Sequence, residues 1–529
     1  MKLNRLTLYQ VEKILKGRFS SDDLLTLSKL PKPDMFKDMR RATDRVVKGV
    51  ERGERIVIVG DYDVDGVVSV SILKMFFRDI GLDIDWVIPN RFIDGYGFTE
   101  SLFDRVKEYD LIITVDNGIS SLEASKLCRD ADIDLIITDH HIVPDEIPIA
   151  HAIVNQKQKD CKFPYGDVCG AQIAWYLIAS LKISLNIDID IKRYLPFVAI
   201  AVVADMVPLL NINRAMVKFG IKAMDRYTHP PIEAIIDEVG KGNIDSDRIA
   251  FFIAPLLNSA GRLKDAKYGV EFLLSETIDE AKIKLEELKE LNSKRKDIEN
   301  RITDEAMSRA DLNDNILIIA GDNWHEGVIG IVASRVARAY KRPVIILTKI
   351  AGNRYKGSGR SFTDCNIFQI VNGSRELLER FGGHNSALGL TIKDENLDRF
   401  REEINRRFID ENYSSKFIDR DIIGEIEVRS IGFSLYEIIK RYEPFGEGNR
   451  RPKFIAKGVT IERVEFLGRG GEHQKLLFNQ NGTSIYGLLF RDRREFRIGE
   501  VVDITFTLHE NSFNGRSRIE IILDEINSQ

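Results

Sequence analysis

Arg55 to Gly66 reads RIVIVGDYDVDG, and no other stretch narrows the fold as far. Ile56-Val57-Ile58-Val59 is short, apolar and mostly β-branched, as expected of a strand buried on both faces. Three carboxylates follow at alternate positions, Asp61, Asp63 and Asp65, closed by Gly66. In an open parallel sheet, ligands bind outside the carboxyl ends of the strands. Three acids gathered there repel one another unless a cation neutralises them. Hard divalent cations such as Mg²⁺ and Mn²⁺ take oxygen ligands of this kind. Taken alone, the stretch reads equally well as a solvated acidic turn, because Asp and Gly are ordinary turn residues.

The pattern then repeats. Ile84–Ile88 reads as a second strand, and Val67–Ile80 before it has helical spacing of apolar residues. Leu111–Val115 reads as a third strand, ending in Asp116-Asn117-Gly118. Leu135–Thr138 reads as a fourth, ending in Asp139-His140-His141. Strands and helices in alternation predict a parallel sheet with crossover helices. Three strand ends then deliver metal-competent residues to one rim, a coincidence that independent turns have no reason to produce. Tyr194–Ala204 is an almost wholly apolar helix that terminates in Asp205, just before Pro208. A carboxylate there needs a partner, either an Arg or Lys or a shared metal. Together these positions favour a binuclear cation site.

In order and spacing, GDYDVDG, VDNG, TDHH and AVVADMVPL resemble the four motifs of the DHH phosphoesterases, with Val64 where many relatives carry Ala. The resemblance implies a two-metal hydrolase of phosphoester bonds. Composition agrees with a soluble, multidomain chain. It has 529 residues, 43% hydrophobic and 30% charged, which at roughly 150 residues per domain suggests three or four domains. Cys128, Cys161, Cys169 and Cys365 form no CxxC pair, which argues against a zinc site or a disulfide framework. The N-terminal residues show no signal peptide and no run approaches a membrane span, so a cytoplasmic location and no membrane partner are expected.

The second half predicts another α/β unit. Ile249–Leu263 reads as an apolar helix entering a small-residue turn that holds Asn258, Ser259 and Arg262. Thr277 to Ala310 reads as a long helix opened by a Thr277/Glu280 capping pattern, long enough to bridge two domains. Strands follow at Asn315–Ala320, Pro343–Leu347 and Leu388–Ile392, with a helix at Ile331–Tyr340. Lys356-Gly357-Ser358-Gly359-Arg360 and Gly382-Gly383-His384 read as glycine-rich turns that let the backbone approach a phosphate. LNSAGRL, WHEGVIGIVASR (ending in Arg335), GSGRS and GGH are similar to the DHH-associated domain in its RecJ branch, although no Pro follows GGH and Ser259 stands where Ala is common.

From about Asp421 the texture changes to short strands with Gly-bearing turns, which suggests a small barrel. The chain is net −5, yet Arg450 to Arg518 carries 13 Lys+Arg against 8 Asp+Glu. Phe454, Phe466, Phe478, Tyr486, Phe490 and Phe513 are interleaved; most of these belong to a barrel core, and the remainder suit a single-strand platform. The RecJ branch carries an OB-fold here, preceded by a segment like Glu443–Asn449 (EPFGEGN), after which Arg450 replaces the usual Pro.

The expected architecture is therefore α/β: a parallel-sheet DHH domain (49–276) after a helical leader (1–48), a connector helix (277–310), a smaller DHH-associated domain (311–420) and an OB-like barrel (421–529). The resemblance implies that Asp61, Asp63, Asp65, Asp116, His140 and Asp205 hold two Mn²⁺ or Mg²⁺ ions. Asp63, Asp116, His140 and His141 would form the catalytic group, with His141 behind the metals or on a phosphate. Asn258, Arg262, Arg335, Ser358, Arg360 and His384 would bind substrate. The implied activity is 5′→3′ hydrolysis of single-stranded DNA to 5′-mononucleotides in repair and recombination, with a single-strand-binding protein and a helicase as further partners. Two alternatives are a hydrolase of short oligonucleotides or cyclic dinucleotides, and a non-catalytic replication-associated relative. The barrel argues against the first, the intact acids against the second. Chemistry is expected not to need the barrel, because every candidate site residue precedes it.

Overall fold

The computed structural model describes residues 5–19, 26–240, 244–362, 365–410, 421–468, 473–490, 492, 494–513 and 516–528, the side chains of 512, 513 and 516 excepted. The chain divides into two compact units. The first comprises Met1–Pro89, Asp94–Ala254 and Asp419–Gln529; the second comprises Asn90–Ile93 and Pro255–Ile418.

The first unit contains a five-stranded, wholly parallel sheet. Its strands are β1 (Ile56–Val59), β2 (Asp85–Val87), β3 (Leu111–Val115), β4 (Asp134–Thr138) and β5 (Ala152–Val154), in the order β2-β1-β3-β4-β5. Only the edge strand β5 was not expected from the sequence. β1 and β3 are buried along their whole length, which is why they read as unbroken apolar runs. The helices Val64–Asp79, Gly170–Ser184 and Leu195–Ala204 pack together. Leu195 to Val203 are all buried, so that helix has no polar face, and Asp205 follows at its C-cap.

The expected leader divides in two. The helix Leu8–Lys16 contributes Val11 and Leu15 to the core of the barrel, together with Leu6. The helix Met39–Arg52 packs on Gly170–Ser184 instead, where Thr43 Oγ1 lies 2.7 Å from Ser180 Oγ. Five strands of the second unit precede the barrel in the chain.

That unit has a mixed sheet: β6 (Leu317–Gly321), β7 (Val344–Ile350), β8 (Arg354–Arg360), β9 (Leu378–His384) and β10 (Ala387–Lys393), ordered β6-β7-β8-β10-β9. β6 and β7 are parallel and the remaining pairs antiparallel. The long helix spans Ile278–Arg309, 32 residues or about 48 Å. Thr277 caps it by accepting from Glu280 N, while the Glu280 side chain accepts from Glu276 N rather than from Thr277. Ile302 and Ala306 pack into a core with Leu317, Ile319 and Val332.

The barrel strands are β11 (Ile422–Glu425), β12 (Lys453–Leu467), β13 (His473–Gln480), β14 (Thr483–Phe490), β15 (Val501–Phe513) and β16 (Arg516–Ser528). They run β11-β12-β13-β14-β16-β15, and β15 pairs back to β12 to close the barrel. β12 runs unbroken for 15 residues, longer than the short strands expected here; its register against β15 shifts between Ala456 and Val459. Phe454 and Phe478 are core, Phe466 and Phe490 are exposed, and the Phe513 side chain lies outside the described residues. Among the described residues no helix is long and apolar enough to cross a membrane.

Candidate active site

The carboxyl ends of β1, β3 and β4 deliver the first unit's acids and histidines. After β1 the chain turns so tightly that a Cβ on Gly66 would lie 2.4 Å from the Asp61 carbonyl oxygen. Asp63 N-caps the helix Val64–Asp79, accepting from the N–H groups of Asp65 (2.9 Å) and Gly66 (3.2 Å). Asp116 follows β3 with φ 63°, a left-handed conformation that Asp tolerates better than most residues. Asn117 fixes that turn by donating to the carbonyls of Val59 and Val115.

Three triads of donor atoms lie together: Asp61, Asp63 and Asp116; Asp116, His140 and His141; and Asp65, His140 and Asp205. Within each triad the ligand atoms are no more than 4.8 Å apart. His140 joins the groups, with Nε2 3.1 Å from Asp116 Oδ1 and 3.8 Å from Asp65 Oδ2, and Nδ1 3.7 Å from Asp205 Oδ2. The structure therefore brings together seven of the eight expected residues, Asp61, Asp63, Asp65, Asp116, His140, His141 and Asp205, in these triads.

Their electrostatics are those of a site that wants positive charge. Burial, then the charges of Asp65, Asp63, Asp61 and Asp205, push the Asp116 carboxyl well above the usual range. Burial, then Asp65 and Asp63, push Asp205 up to about 9; the charge of Lys157 acts the other way and is outweighed. Burial lowers His140, which favours the neutral imidazole that a metal needs. Asp116 Oδ1 is buried and receives no hydrogen bond of good geometry among the described residues. Carboxylate oxygens with one imidazole suit a hard or borderline divalent ion, so the residues fit such a group.

Asp139 is different, although it stands at the same rim. One oxygen accepts from Ile119 N, and the other from His140 N, His141 N and His141 Nδ1. Four donors fill a carboxylate, so Asp139 is an orienting group. Burial alone would raise its pKa; the hydrogen bond and charge of His141 and the backbone bonds outweigh that and lower it. The reciprocal holds for His141: burial lowers it, and the Asp139 bond and charge overcome that and raise it. His141 Nε2 lies 2.9 Å from Tyr96 Oη.

Two functional candidates were missed here. Tyr96 sits between Gly95 (φ 85°) and Gly97 (φ 72°), and the GYG pattern was the available signal. Gly170 is the other: its Cβ would fall 2.6 Å from the Asp116 side chain. Gly170 N and Ala171 N donate to the two Asp65 oxygens at 2.5 and 2.8 Å, so Asp65 sits on a helix N-terminus.

The second unit places its candidates less uniformly. Ser358 and Arg360 lie on β8 and His384 ends β9, so the expected turns are strands. The glycines answer to packing: Cβ atoms on Gly357 and Gly359 would strike Leu347 and Leu388 within 2.8 Å. Arg360 donates to Ser358 Oγ at 3.0 Å. Burial, then the charge of Arg91, lowers its pKa. Arg91 was not anticipated, and Gly330 leaves room for this cluster, since its Cβ would meet Arg360 at 2.9 Å. Asn258, Ser259 and Arg262 lie inside the helix Ala254–Leu263 rather than in a turn. Ser259 is buried, while Arg262 Nη1 donates to the Gly327 carbonyl at 3.3 Å. Arg335 is tied to Glu299 (2.9 Å) and Asn300 (2.8 Å) of the long helix, which gives it a packing task apart from Arg360. Lys356 pairs with Glu326, and His384 is exposed. On the barrel, Tyr486 is flanked by Lys475 Nζ and the Arg518 guanidinium, 4.6 and 5.7 Å from its ring centre.

Three family models match separate parts of the chain. Residues 55–202 match the DHH family, N-terminal domain; 313–410 match the DHHA1 domain; and 422–525 match the RecJ OB domain. The single-stranded-DNA-specific exonuclease RecJ of Bacillus subtilis is 30% identical over 93% of this chain, which spans 64% of that protein's length. The crystal structure of RecJ in complex with Mn²⁺ from Thermus thermophilus superposes with a TM-score of 0.80 at 25% identity, covering 93% of this chain and 72% of that one. The single-stranded-DNA-specific exonuclease RecJ of Escherichia coli is 30% identical over 92% of this chain and 90% of its own length, and on that match the chain belongs to the RecJ family.

Proposed function

We propose that the chain is a divalent-cation-dependent exonuclease that hydrolyses single-stranded DNA 5′→3′ to 5′-mononucleotides. The observation that carries the reading is the buried acidic set around Asp116, whose carboxyls are driven upward by one another and by burial. Such a set is costly to the fold unless cations occupy it.

Asp61, Asp63 and Asp116 would hold one Mn²⁺ or Mg²⁺ ion, and Asp65, His140 and Asp205 a second. When bound, such a pair supplies an acidified water and stabilises both the attacking and leaving oxygens of a phosphodiester. Asp116 belongs to two of the triads, which suits a shared ligand. His141 is oriented by Asp139 and holds its proton on Nδ1 toward that carboxylate. Its Nε2 faces Tyr96 Oη, and protonation there would make Nε2 the donor to that hydroxyl and free its O–H for a phosphoryl oxygen. In the second unit, Arg360 with Ser358, Arg91 and Arg262 would take backbone phosphates by charge-assisted bonds. Asn258 and His384 remain secondary candidates, and Arg335 would act through the long helix. Lys475, Tyr486 and Arg518 would serve the uncleaved strand by phosphate neutralisation and stacking. Action in repair and recombination in the cytoplasm, beside a single-strand-binding protein and a helicase, is the setting this reading implies.

The test is digestion of 5′- and 3′-labelled single strands, with duplex and RNA controls, in Mn²⁺, Mg²⁺ and chelator. Metal-dependent release of mononucleotides from the 5′ end of single strands is expected. Equal cleavage of duplex, or release from the 3′ end, would overturn the reading.

A further inference from the structure

Asp205 is followed by Met206 at φ 58° and then by Val207-Pro208-Leu209. This short turn carries a candidate metal ligand, and its backbone is braced by a segment more than two hundred residues away. Leu209 N donates to the Glu447 carbonyl at 2.7 Å. A Cβ on Gly448, at φ 71°, would lie 2.9 Å from Pro208 Cβ, and one on Gly446 2.7 Å from Leu209 Cδ1. The bracing loop is itself stiff. Buried Asn449 donates through Nδ2 to the carbonyls of Tyr442 and Pro444, each at 2.9 Å. Gly446 and Asn449 also pair through their backbones, and Arg214 Nη2 donates to the Glu443 carbonyl at 2.8 Å.

The same turn is held from its other side by Asn213. Its Nδ2 donates to the Pro208 carbonyl (2.9 Å) and the Asp167 carbonyl (2.7 Å), and its Oδ1 accepts from Gln172 Nε2 (3.0 Å). Gln172 Oε1 accepts from Cys169 N, and the next two N–H groups, of Gly170 and Ala171, are those that hold Asp65. One connected set of bonds therefore reaches Asp65 directly and, at Pro208 and Leu209, the short turn that follows Asp205. These two acids form, with His140, one of the three triads.

We infer that the loop Glu443–Asn449 is a positioning element for one of the two cation positions, the one formed by Asp65, His140 and Asp205. This rests on the metal-dependent reading above. The barrel's entry loop then contributes to metal affinity as well as to strand handling, and its sequence answers to the geometry of Asp205.

The test uses the full chain and two glycine substitutions of equal backbone cost. Gly448→Ala places a methyl against Pro208. Gly482→Ala acts at a barrel hairpin with φ 82° and nothing within 4 Å, so it reports barrel strain alone. Mn²⁺ binding is followed by calorimetry, and hydrolysis of a dinucleotide by its Mn²⁺ dependence. Outer supports of metal ligands typically matter by 10- to 100-fold, so Gly448→Ala should weaken one class of Mn²⁺ site by about tenfold. The other class should be unchanged, and excess Mn²⁺ should restore dinucleotide turnover. Gly482→Ala should bind as the parent does. If Gly448→Ala does not fold, Gly446→Ala, which meets only the movable Leu209 side chain, is read in its place. Mn²⁺ binding by the variant equal to that of the parent, or equal weakening in both glycine variants, overturns the inference. No Mn²⁺ binding by the parent chain would instead sink the metal-dependent reading itself.

Discussion

The two units each gather a cluster of like charge, and the signs are opposite; the acidic cluster is buried, whereas Arg360 and Arg91 are half-buried. In the first, carboxyls around Asp116 and Asp205 are pushed up by burial and by one another. In the second, the Arg360 guanidinium is pushed down by burial and by Arg91. In each, like charges brought together in a partly desolvated setting disfavour one another. The difference lies in what can relieve the strain. Carboxylates can take up protons or bind cations, so the acidic cluster has a fallback at low pH. Arginine does not lose its proton in proteins, so the basic cluster answers to anions and not to pH. On the proposed function the first cluster would take cations and the second phosphates.

The contrast can be broken most forcefully at Asp116. Metal chemistry of this kind is worth several kcal/mol of transition-state stabilisation. Asp116→Asn should therefore lower the rate by about 10³-fold or more, while strand affinity in chelator stays near the parent value. Rates within tenfold of the parent would remove Asp116 from the metal centre. Arg360→Ala should cost less, because a charge-assisted bond to phosphate is worth about 1.5–3 kcal/mol. The expected loss in kcat/KM is roughly 10- to 100-fold, with Mn²⁺ binding unchanged. Arg360→Lys should not restore it fully, since a point charge does not reproduce the planar fork.

Tyr96→Phe sharpens the acidic side. Removing the hydroxyl at His141 Nε2 should lower kcat by about tenfold, the lower end for supports of a metal centre, without changing Mn²⁺ affinity. A change confined to KM would assign Tyr96 to strand binding instead. The smallest effect is on stability. The Asp205 carboxyl is raised to about 9 in the folded, metal-free chain. A raised carboxyl contributes its stability fully below its ordinary value and loses it as pH climbs toward the folded value. In chelator, parent and Asp205→Asn should therefore melt alike at about pH 4, and the variant should melt higher at about pH 9. Added Mn²⁺ should reverse that order. A melting difference independent of pH would mean that Asp205 is neutralised from within.

Much of the acidic site was legible in the sequence, because parallel strands place their C-terminal residues on one rim by geometry alone. Asp61, Asp116 and His140 could be read from β1, β3 and β4, and Asp205 from the apolar helix before it. Asp139 looked the same in the sequence but is filled by four N–H donors, a fact of the turn's backbone that residue identity does not carry. Gly170 and the bond from Leu209 to Glu447 depend on contacts across long separations, beyond any local pattern. Glycine permits turns, so the GSGR and GGH segments read as turns; β8 uses Gly357 and Gly359 to seat Leu347 and Leu388, and Gly383 of β9 backs onto Leu388. The barrel looked detachable because every candidate site residue precedes it. Leu6, Val11 and Leu15 in its core show that a cut at Asp421 would strip the N-terminal helix of its packing, so point substitutions test the barrel better than truncation.

On the proposed function the two charge clusters would divide the work, one holding cations and the other the strand. Calorimetric Mn²⁺ binding and single-strand affinity, measured side by side on Asp116→Asn and Arg360→Ala, test it most directly. The account predicts that Asp116→Asn loses Mn²⁺ binding and keeps strand affinity, and that Arg360→Ala does the reverse. Loss of both properties in either variant, with the fold intact by melting, would contradict it.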